Sequence, residues 1–195
     1  MATHFYTAAS LDGYLATPEH SLEWLLRQDF DMDGPMAYPG FIEGIGALVM
    51  GSSTYRWLLE HQDSWEYTQP AWVFTHRDLS VPEGADVRLV RDDVAEVFPQ
   101  ISASAGRDDV WVMGGGDLAG QFADAGLLDE VWVQFAPVTL GAGRPLLPRE
   151  LDFELVDVAR NRDFVCTRYR VCHASGRDRT GQTQREGGPS SGPPV

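Results

Sequence analysis

The chain has 195 residues, and its acidic residues outnumber its basic ones by 29 to 15, which gives a net charge of −14 at neutral pH. The length suits one domain, and a hydrophobic content of 43% is enough for a sizeable core. Phosphate backbones and anionic membrane surfaces repel such a chain, so we expect no nucleic-acid and no membrane partner. All the basic residues are arginine, which excludes lysine nucleophiles and phosphate-binding lysines but leaves arginine available for phosphate.

The two cysteines, Cys166 and Cys172, lie six residues apart in an alternating run. In a strand their Cα atoms would be about 20 Å apart, too far for an internal disulfide. No histidine or cysteine spacing is typical of zinc, so no metal site is predicted. The amino terminus has neither a basic segment nor a long apolar run, and a reducing cytoplasm is the expected location.

Hydrophobic periodicity and breaker residues predict the elements in chain order. The first half contains a strand, a helix, a loop, a short helix, a buried strand and a helix, at residues 4–9, 21–28, 29–39, 41–45, 47–50 and 52–60. Two strands follow at residues 70–75 and 87–90. A helix that Asp92 or Asp93 could cap then runs through Ile101. The remaining elements are a strand, a helix and three strands, at residues 110–113, 117–125, 130–137, 153–160 and 163–172.

This order predicts an α/β domain over residues 1–172, with a mostly parallel central sheet and antiparallel carboxy-terminal strands. From residue 173 onward the composition shifts to Ser, Gly, Arg, Gln and Pro. Residues 173–195 are therefore predicted to be a disordered tail, and a partner-recruiting segment is the less favoured alternative.

The most informative segment is VWVMGGGDLAGQ at residues 110–121, a buried strand, three glycines and a helix. The glycines allow close approach to the backbone, and the helix amino terminus offers free N–H groups to a phosphate. A tight turn that binds nothing is the alternative. The segment is not the GxGxxG fingerprint, because Asp117 and Leu118 follow the glycines directly.

Two further strand ends have similar chemistry. Met50 and Gly51 lead into the hydroxyls of Ser52, Ser53 and Thr54, which could cap the helix or hold a phosphate. Thr75, His76 and Arg77 form either a third phosphate contact or a plain exposed loop. Ligands of open α/β sheets bind at the carboxyl ends of the strands, so these junctions together indicate a dinucleotide site.

Four motifs in this order carry a family resemblance. They are Ser10-Leu11-Asp12-Gly13; Met50-Gly51 with Thr54-Tyr55; Met113-Gly114-Gly115-Gly116; and residues 126–130 with the Gly141-Ala142-Gly143 turn. Over residues 3–172 the chain resembles the dihydrofolate-reductase-like superfamily, especially stand-alone proteins similar to the reductase domain of riboflavin biosynthesis. The resemblance implies a three-layer sandwich around a mixed, mostly parallel sheet, with NADPH as the cofactor.

The resemblance also implies which residues contact the cofactor. The phosphates would face Gly51, Ser52, Ser53 and Thr54, with Thr75, His76 and Arg77 at the third junction. The pyrophosphate and nicotinamide would face the second junction, Met113, Gly114, Gly115, Gly116, Asp117 and Leu118, and the nicotinamide would be walled by Ala8, Ala9, Leu15 and Ala16. The resemblance further implies a cis peptide bond between Gly114 and Gly115.

The sequence departs from the family pattern at three places. Ser52 stands where many members have an arginine that binds the 2′-phosphate of NADPH. His76 and Arg77 could take the place of that arginine. Tyr14 and Met113 stand where riboflavin-pathway reductases often have a lysine and an acidic residue. The pterin-binding carboxylate of dihydrofolate reductases has no secure counterpart; Asp31, Asp33 and Glu43 are available.

The substrate would lie between residues 10–40 and the glycine junction. Trp24, Phe30, Tyr38 and Phe41 could stack on a flat heterocycle, or could pack in the core instead. Asp31 or Asp33 could accept a hydrogen bond from it, and Tyr14 is the candidate proton donor.

The leading hypothesis is a reductase that transfers a hydride from NADPH to a small pterin- or pyrimidine-like substrate. The alternative is a non-catalytic nucleotide-binding or regulatory protein on the same fold. The resemblance also suggests a homodimer formed through the carboxy-terminal strands, where Val165, Thr167, Tyr169 and Val171 share one face.

Overall fold

A computed structural model describes residues 1–173 of the chain. The predicted tail lies outside these described residues from 174 onward. The strands are β1 Thr3–Ser10, β2 Tyr14–Ala16, β3 Ile45–Gly51, β4 Ala71–Phe74, β5 Val87–Val90, β6 Asp109–Gly114, β7 Glu130–Ala136, β8 Arg144–Pro145, β9 Asp152–Asn161 and β10 Phe164–Cys172. The helices are α1 Glu23–Leu26, α2 Tyr38–Ile42, α3 Ser52–His61, α4 Val94–Ala105 and α5 Gly116–Asp124.

Eight strands form one sheet in the order β5-β4-β3-β6-β1-β7-β10-β9. The pairs from β5 across to β7 are parallel, whereas β10 runs antiparallel to both β7 and β9. The predicted class, a mixed α/β fold with a mostly parallel sheet and antiparallel carboxy-terminal strands, is therefore confirmed. The carboxyl ends of β3, β6 and β1 meet at one edge of the sheet, where a ligand site is expected.

The central strands are buried on both faces, which explains their continuous apolar runs. Val49 and Val112 pack with Phe122 in a cluster beneath α4 and α5. On the opposite face Met50 and Trp111 pack in the cluster that includes residues of α3. Helices on both faces of the sheet thus make three layers, and the core holds the strand ends in fixed positions.

The region between β2 and β3 differs from the sequence prediction. The predicted helix at residues 21–28 is a single turn, α1, and its N-cap residue Leu22 provides no side-chain capping bond. The second helix begins at Tyr38 rather than at residue 41, because Pro39 suits the first turn of a helix. It ends at Ile42, and Ile45 already belongs to β3. Few intrahelical hydrogen bonds stabilise either segment, so tertiary packing decides their length.

A two-stranded ribbon of β2 and β8 was not predicted. Tyr14 pairs with Pro145, and Ala16 pairs with Arg144. Strands of two or three residues are too short to show a period in the sequence. The ribbon brings the Pro145 and Leu146 carbonyl oxygens against Gly116 of the glycine junction.

Both cysteines are free thiols, as predicted, with Cys166 buried and Cys172 exposed. Helix α4 begins after Asp93, as predicted, but the Asp93 side chain makes no capping bond. Among residues 1–173 no helix combines the length and the apolar character that a membrane span requires.

Candidate active site

A cleft of about 680 Å³ lies at the carboxyl ends of β3, β4, β6 and β1. Its walls include nearly all of the residues predicted to bind the cofactor; only Ala9 and Arg77 of that set do not line it. Ala9 is fully buried in the core, and Arg77 is exposed beyond the rim. The cleft therefore brings together segments that are more than one hundred residues apart in the chain.

The first junction joins β3 to α3. Gly51 is the N-cap residue of α3, and none of the three following hydroxyls makes a capping bond. The prediction that they cap the helix is therefore wrong: the N-cap position itself is occupied by glycine, which has no side chain. The N–H groups of Ser52, Ser53 and Thr54 have no intrahelical acceptor, and all three residues line the cleft. This end of α3 can bind an anion through its backbone and its dipole.

The second junction joins β6 to α5 and lies directly beside the first, because β3 and β6 are neighbours and Met50 pairs with Gly114. Gly115 is the N-cap residue of α5 and offers no side-chain capping bond. The peptide bond between Gly114 and Gly115 is cis, as expected. A side chain at Gly114 would meet the Thr54 hydroxyl. Two uncapped helix amino termini thus share one cleft.

The third junction follows β4. Thr75 is buried, and its hydroxyl accepts a hydrogen bond from the Arg77 N–H at 3.0 Å. His76 lines the cleft and is exposed. A further cation, Arg91, lines the same end and pairs with Asp78 at 2.7 Å. Both partners of that pair are largely exposed, so Arg91 can exchange its carboxylate for a phosphate at little cost.

The loop after β1 is tied to the turn before β8 by one carboxylate. Asp12 accepts hydrogen bonds from the Ser10 hydroxyl at 2.6 Å and from the Gly141 N–H at 2.7 Å. The Ser10 bond, partly opposed by desolvation, keeps the pKa of Asp12 below its usual value, and the N–H donors of Leu140 and Gly141 add to this. The Asp12-Gly13 motif therefore fixes the position of β2, whose Leu15 and Ala16 line the cleft.

The three predicted catalytic residues do not line the cleft. Tyr14 lies in the β2–β8 ribbon. Asp31 lies 3.7 Å from the Arg162 guanidinium, and its N–H is hydrogen-bonded to Asn161. Asp33 is exposed in the same turn. Their catalytic role stays a prediction: Tyr14 lies in the ribbon that packs against the second junction, whereas Asp31 lies beside Asn161 and Arg162.

The predicted substrate-stacking residues lie in packed surroundings. Trp24 is only 5% exposed and packs with Phe164 and Cys166. Phe41 stacks on Tyr6, with ring centroids 4.3 Å apart, and Tyr38 packs against Trp111. These rings contribute to the core, the alternative that the sequence left open, and a contact with substrate stays a prediction. Phe30 differs, because it lines a second cavity.

The structure also places residues at the site that the sequence reasoning missed. Trp57 on α3 lines the cleft, although its sequence context is that of an ordinary amphipathic helix. Arg144 lines it too and donates a hydrogen bond to His20 at 2.6 Å. A second cavity of about 300 Å³ adjoins the cleft, since Ala8 and Leu25 line both. Gln134 lies in that cavity, and its position within the apolar strand β7 is a signal the sequence did contain.

A mostly parallel sheet with helices on both faces and a cleft at the carboxyl ends of its strands is the architecture of an open α/β fold. The family model of the RibD C-terminal domain matches residues 4–165. The chain therefore belongs to the RibD C-terminal domain family, and its fold is the dihydrofolate-reductase-like fold predicted from the sequence motifs.

The chain is also similar to individual proteins and solved structures. The chain is 28% identical over 145 residues to the uncharacterized protein YwjB of Bacillus subtilis, covering 74% of this chain and 81% of that one. The structure is similar to that of a candidate riboflavin biosynthesis protein from Shewanella sp. PV-4, with a TM-score of 0.77, 27% identity and coverage of 89% and 100%. A pyrimidine reductase-like protein from Corynebacterium diphtheriae shares the fold at 11% identity, with a TM-score of 0.62 and coverage of 88% and 92%.

Proposed function

We propose that this protein is a reductase that binds NADPH in the main cleft and transfers a hydride to a small pterin- or pyrimidine-like heterocycle. The dihydronicotinamide supplies the hydride when it is bound. The observation that carries the proposal is the pairing of two uncapped helix amino termini, those of α3 and α5, at neighbouring strand ends. The free thiols of Cys166 and Cys172 support a reducing cytoplasm as its location.

Different residues of the cleft would bind different parts of the cofactor. The N–H groups at the starts of α3 and α5 would hold the phosphates. Ala8, Leu15 and Leu118 form an apolar wall where a nicotinamide ring would be shielded from water. Arg91 would provide the positive charge for a 2′-phosphate that Ser52 cannot provide, and His76 would add a ring N–H donor.

A fluorescence titration with NADPH and with NADH tests the proposal. Trp57 lines the cleft, whereas Trp111 is buried and donates to the Tyr6 carbonyl at 3.0 Å. We expect both nucleotides to quench the tryptophan fluorescence in a saturable way, with a lower dissociation constant for NADPH. A Trp57→Phe variant should lose most of this quenching. Equal affinities for NADPH and NADH would be compatible with a reductase but would contradict the proposed contact with the 2′-phosphate. No saturable binding of either nucleotide would contradict the proposal.

A negative charge introduced at the start of α3 gives a second test of the proposal. Ser53 is exposed in the first turn of α3 and lines the cleft. In Ser53→Asp the carboxylate would favour the helix dipole but repel the cofactor phosphates. We expect at least about tenfold weaker NADPH binding, or 1.4 kcal/mol, with no loss of thermal stability. The neutral isostere Ser53→Asn is the control and should bind NADPH nearly as the wild type does.

A non-catalytic nucleotide-binding protein is the second candidate. It is favoured by Tyr14 and Met113, which stand where riboflavin-pathway reductases often have ionisable groups. Stoichiometric NADPH binding without oxidation of the nucleotide in the presence of pterin, flavin or pyrimidine acceptors would favour this second function.

A further inference from the structure

The start of α5, where the cofactor phosphates would bind, carries a negative charge. Asp117 is the second residue of α5, and its exposed side chain lines the cleft. Its N–H group has no intrahelical acceptor, so the backbone at this position suits an anion. Its carboxylate has the opposite effect, because it repels a phosphate and competes with it for the dipole of α5. A phosphate can bind well here only if this carboxylate is neutralised or held away.

The Asp117 carboxylate is bound through both of its oxygens. The Arg149 Nη2 atom lies 3.1 Å from Oδ1, and the Gln121 side chain donates a hydrogen bond to Oδ2 at 3.0 Å. Gln121 lies one turn further along α5, and Arg149 also reaches Asp124, a second turn along. Both oxygens are therefore held toward the carboxy-terminal end of the helix and away from its uncapped N–H groups.

The position of the Arg149 guanidinium is fixed by its surroundings. Its Nε atom lies 2.7 Å from Asp124 Oδ2, and its Nη1 atom donates to the Pro148 carbonyl at 2.8 Å. The side chain lies across Gly120, where an added Cβ atom would come within 2.9 Å of Arg149 Cζ and 3.0 Å of Cγ. Glycine at position 120 thus leaves the space in which Arg149 crosses the helix. Arg149 is not among the described residues that line the cleft, whereas Asp117 and Pro148 are.

We propose that Arg149 is a positioning residue for anion binding at the start of α5. It neutralises the Asp117 carboxylate and holds it along the helix, which leaves the first N–H groups free for the cofactor pyrophosphate. The inference rests on the proposed function, in which NADPH supplies this anion. Both carboxylates that Arg149 binds are more than half exposed, and such pairs contribute little to stability. The effect is therefore expected on ligand affinity rather than on folding.

A double-mutant cycle of Arg149→Gln and Asp117→Asn tests the inference. The dissociation constant for NADPH is measured by fluorescence titration on the wild type, both single variants and the double variant. We expect Arg149→Gln to weaken binding about fivefold, because the released carboxylate then repels the phosphates. Adding Asp117→Asn should restore at least the wild-type affinity. A loss that persists in the double variant would overturn the inference, since Arg149 would then act by packing against Pro148 alone.

Salt and geometry give two further readouts. The loss in Arg149→Gln should shrink as the salt concentration approaches about 1 M, where the screening length is about 3 Å. A loss that is the same at every salt concentration would contradict the electrostatic argument. Gly120→Ala keeps both charges but displaces the guanidinium, so it should also weaken NADPH binding, and Asp117→Asn should again restore it. Arg170→Gln is the matched control, because its pair with Glu154 joins β9 and β10, and NADPH binding should be unchanged.

Inorganic pyrophosphate is a second probe that separates this inference from the proposed function. Its binding to the full chain is measured by isothermal titration calorimetry on the same variants. If pyrophosphate shows the loss and the rescue while NADPH does not bind, the role of Arg149 is supported and the reductase is contradicted. NADPH binding that is equally strong in the wild type and in Arg149→Gln would do the reverse. A wild type that binds neither probe would contradict both proposals.

Discussion

At the scale of single residues, a polar cluster at the amino-terminal ends of the strands is the least typical part of the interior. His4 is 6% exposed and its Nε2 lies 2.9 Å from an Asp109 carboxylate oxygen. The Glu130 carboxylate accepts two hydrogen bonds from Arg168, each 2.9 Å long, and one from the Trp132 indole at 3.1 Å. The cluster joins β1, β6, β7 and β10 on the side of the sheet away from the cleft.

The contribution of Glu130 to the free energy of unfolding depends on pH, because the pKa of its carboxyl group is shifted in the folded protein. Burial raises the pKa of Glu130, but the hydrogen bonds from Arg168 and Trp132, with the positive charges nearby, outweigh it and bring the pKa below its ordinary value. A carboxylate with a depressed folded-state pKa stabilises the protein above its unfolded-state pKa of about 4.3. That stabilisation is lost as the pH falls through the folded-state pKa.

We therefore predict that Glu130→Gln lowers the free energy of unfolding by about 2 kcal/mol at pH 7, and that the difference shrinks below about pH 4. Urea unfolding of both proteins across this pH range is the measurement. Glu154→Gln is the control, since its 2.6 Å pair with Arg170 is largely exposed and should contribute little. A difference between wild type and Glu130→Gln that is constant with pH would contradict the argument.

At the scale of elements, the start of α5 depends on the ribbon packed against it. A Cβ atom at Gly116 would clash with the backbone carbonyl oxygens of Pro145 and Leu146. Leu146 is itself held by a hydrogen bond from its N–H to the Gly13 carbonyl at 2.9 Å. The loop after β1, the β2–β8 ribbon and the glycine junction are therefore one packed unit, and glycine is required at 116 for space.

We predict that Gly116→Ala lowers the free energy of unfolding by about 2 kcal/mol, because the obstructing atoms are backbone and cannot move as a side chain would. Chemical denaturation measures the change. Gly40→Ala in α2 is the matched control: a Cβ atom there meets nothing within 4 Å, and alanine favours the helix. If both variants unfold at the same denaturant concentration, the close packing of the ribbon on α5 is disproved.

At the scale of the whole molecule, the carboxy-terminal edge of the sheet leaves an apolar face exposed. Leu155, Val158 and Val165 are each more than half exposed. Leu155 pairs with Tyr169 and Val158 with Thr167, so these side chains lie on one face of the β9–β10 pair. Exposed apolar patches of this kind mark interaction surfaces. We propose that a second copy of the chain covers this face, which gives the homodimer predicted from the sequence.

The expected result is a dimer of the wild-type protein by size-exclusion chromatography with light scattering, and a monomer of Val158→Asp. The introduced carboxylate would be buried without a partner in the interface. Val81→Asp is the control, because Val81 is 44% exposed and lies outside this face. A wild-type protein that remains monomeric at concentrations of about 100 µM would rule out the homodimer.

The element order and the glycine junctions could be predicted from the sequence because their signals are local. Buried parallel strands produce apolar runs such as residues 47–50 and 110–113, and glycine followed by a helix-forming run marks each junction. The same local signals could not decide between a core role and a substrate contact for Trp24, Tyr38 and Phe41. An exposed stacking ring and a buried core ring have the same sequence pattern, and only the neighbouring strands distinguish them.

The sequence by itself determined the fold class, the family and the residues at the two helix starts, since each depends on residue types at short spacing. Only the tertiary structure decided that β3 and β6 are neighbours, that the β2–β8 ribbon packs against the glycine junction, and that the Gln134 carbonyl has no hydrogen-bond partner among residues 1–173. The physical reason is that these features depend on contacts between residues far apart in the chain. Whether a polar atom has a partner is a property of the packed interior, which no local pattern encodes.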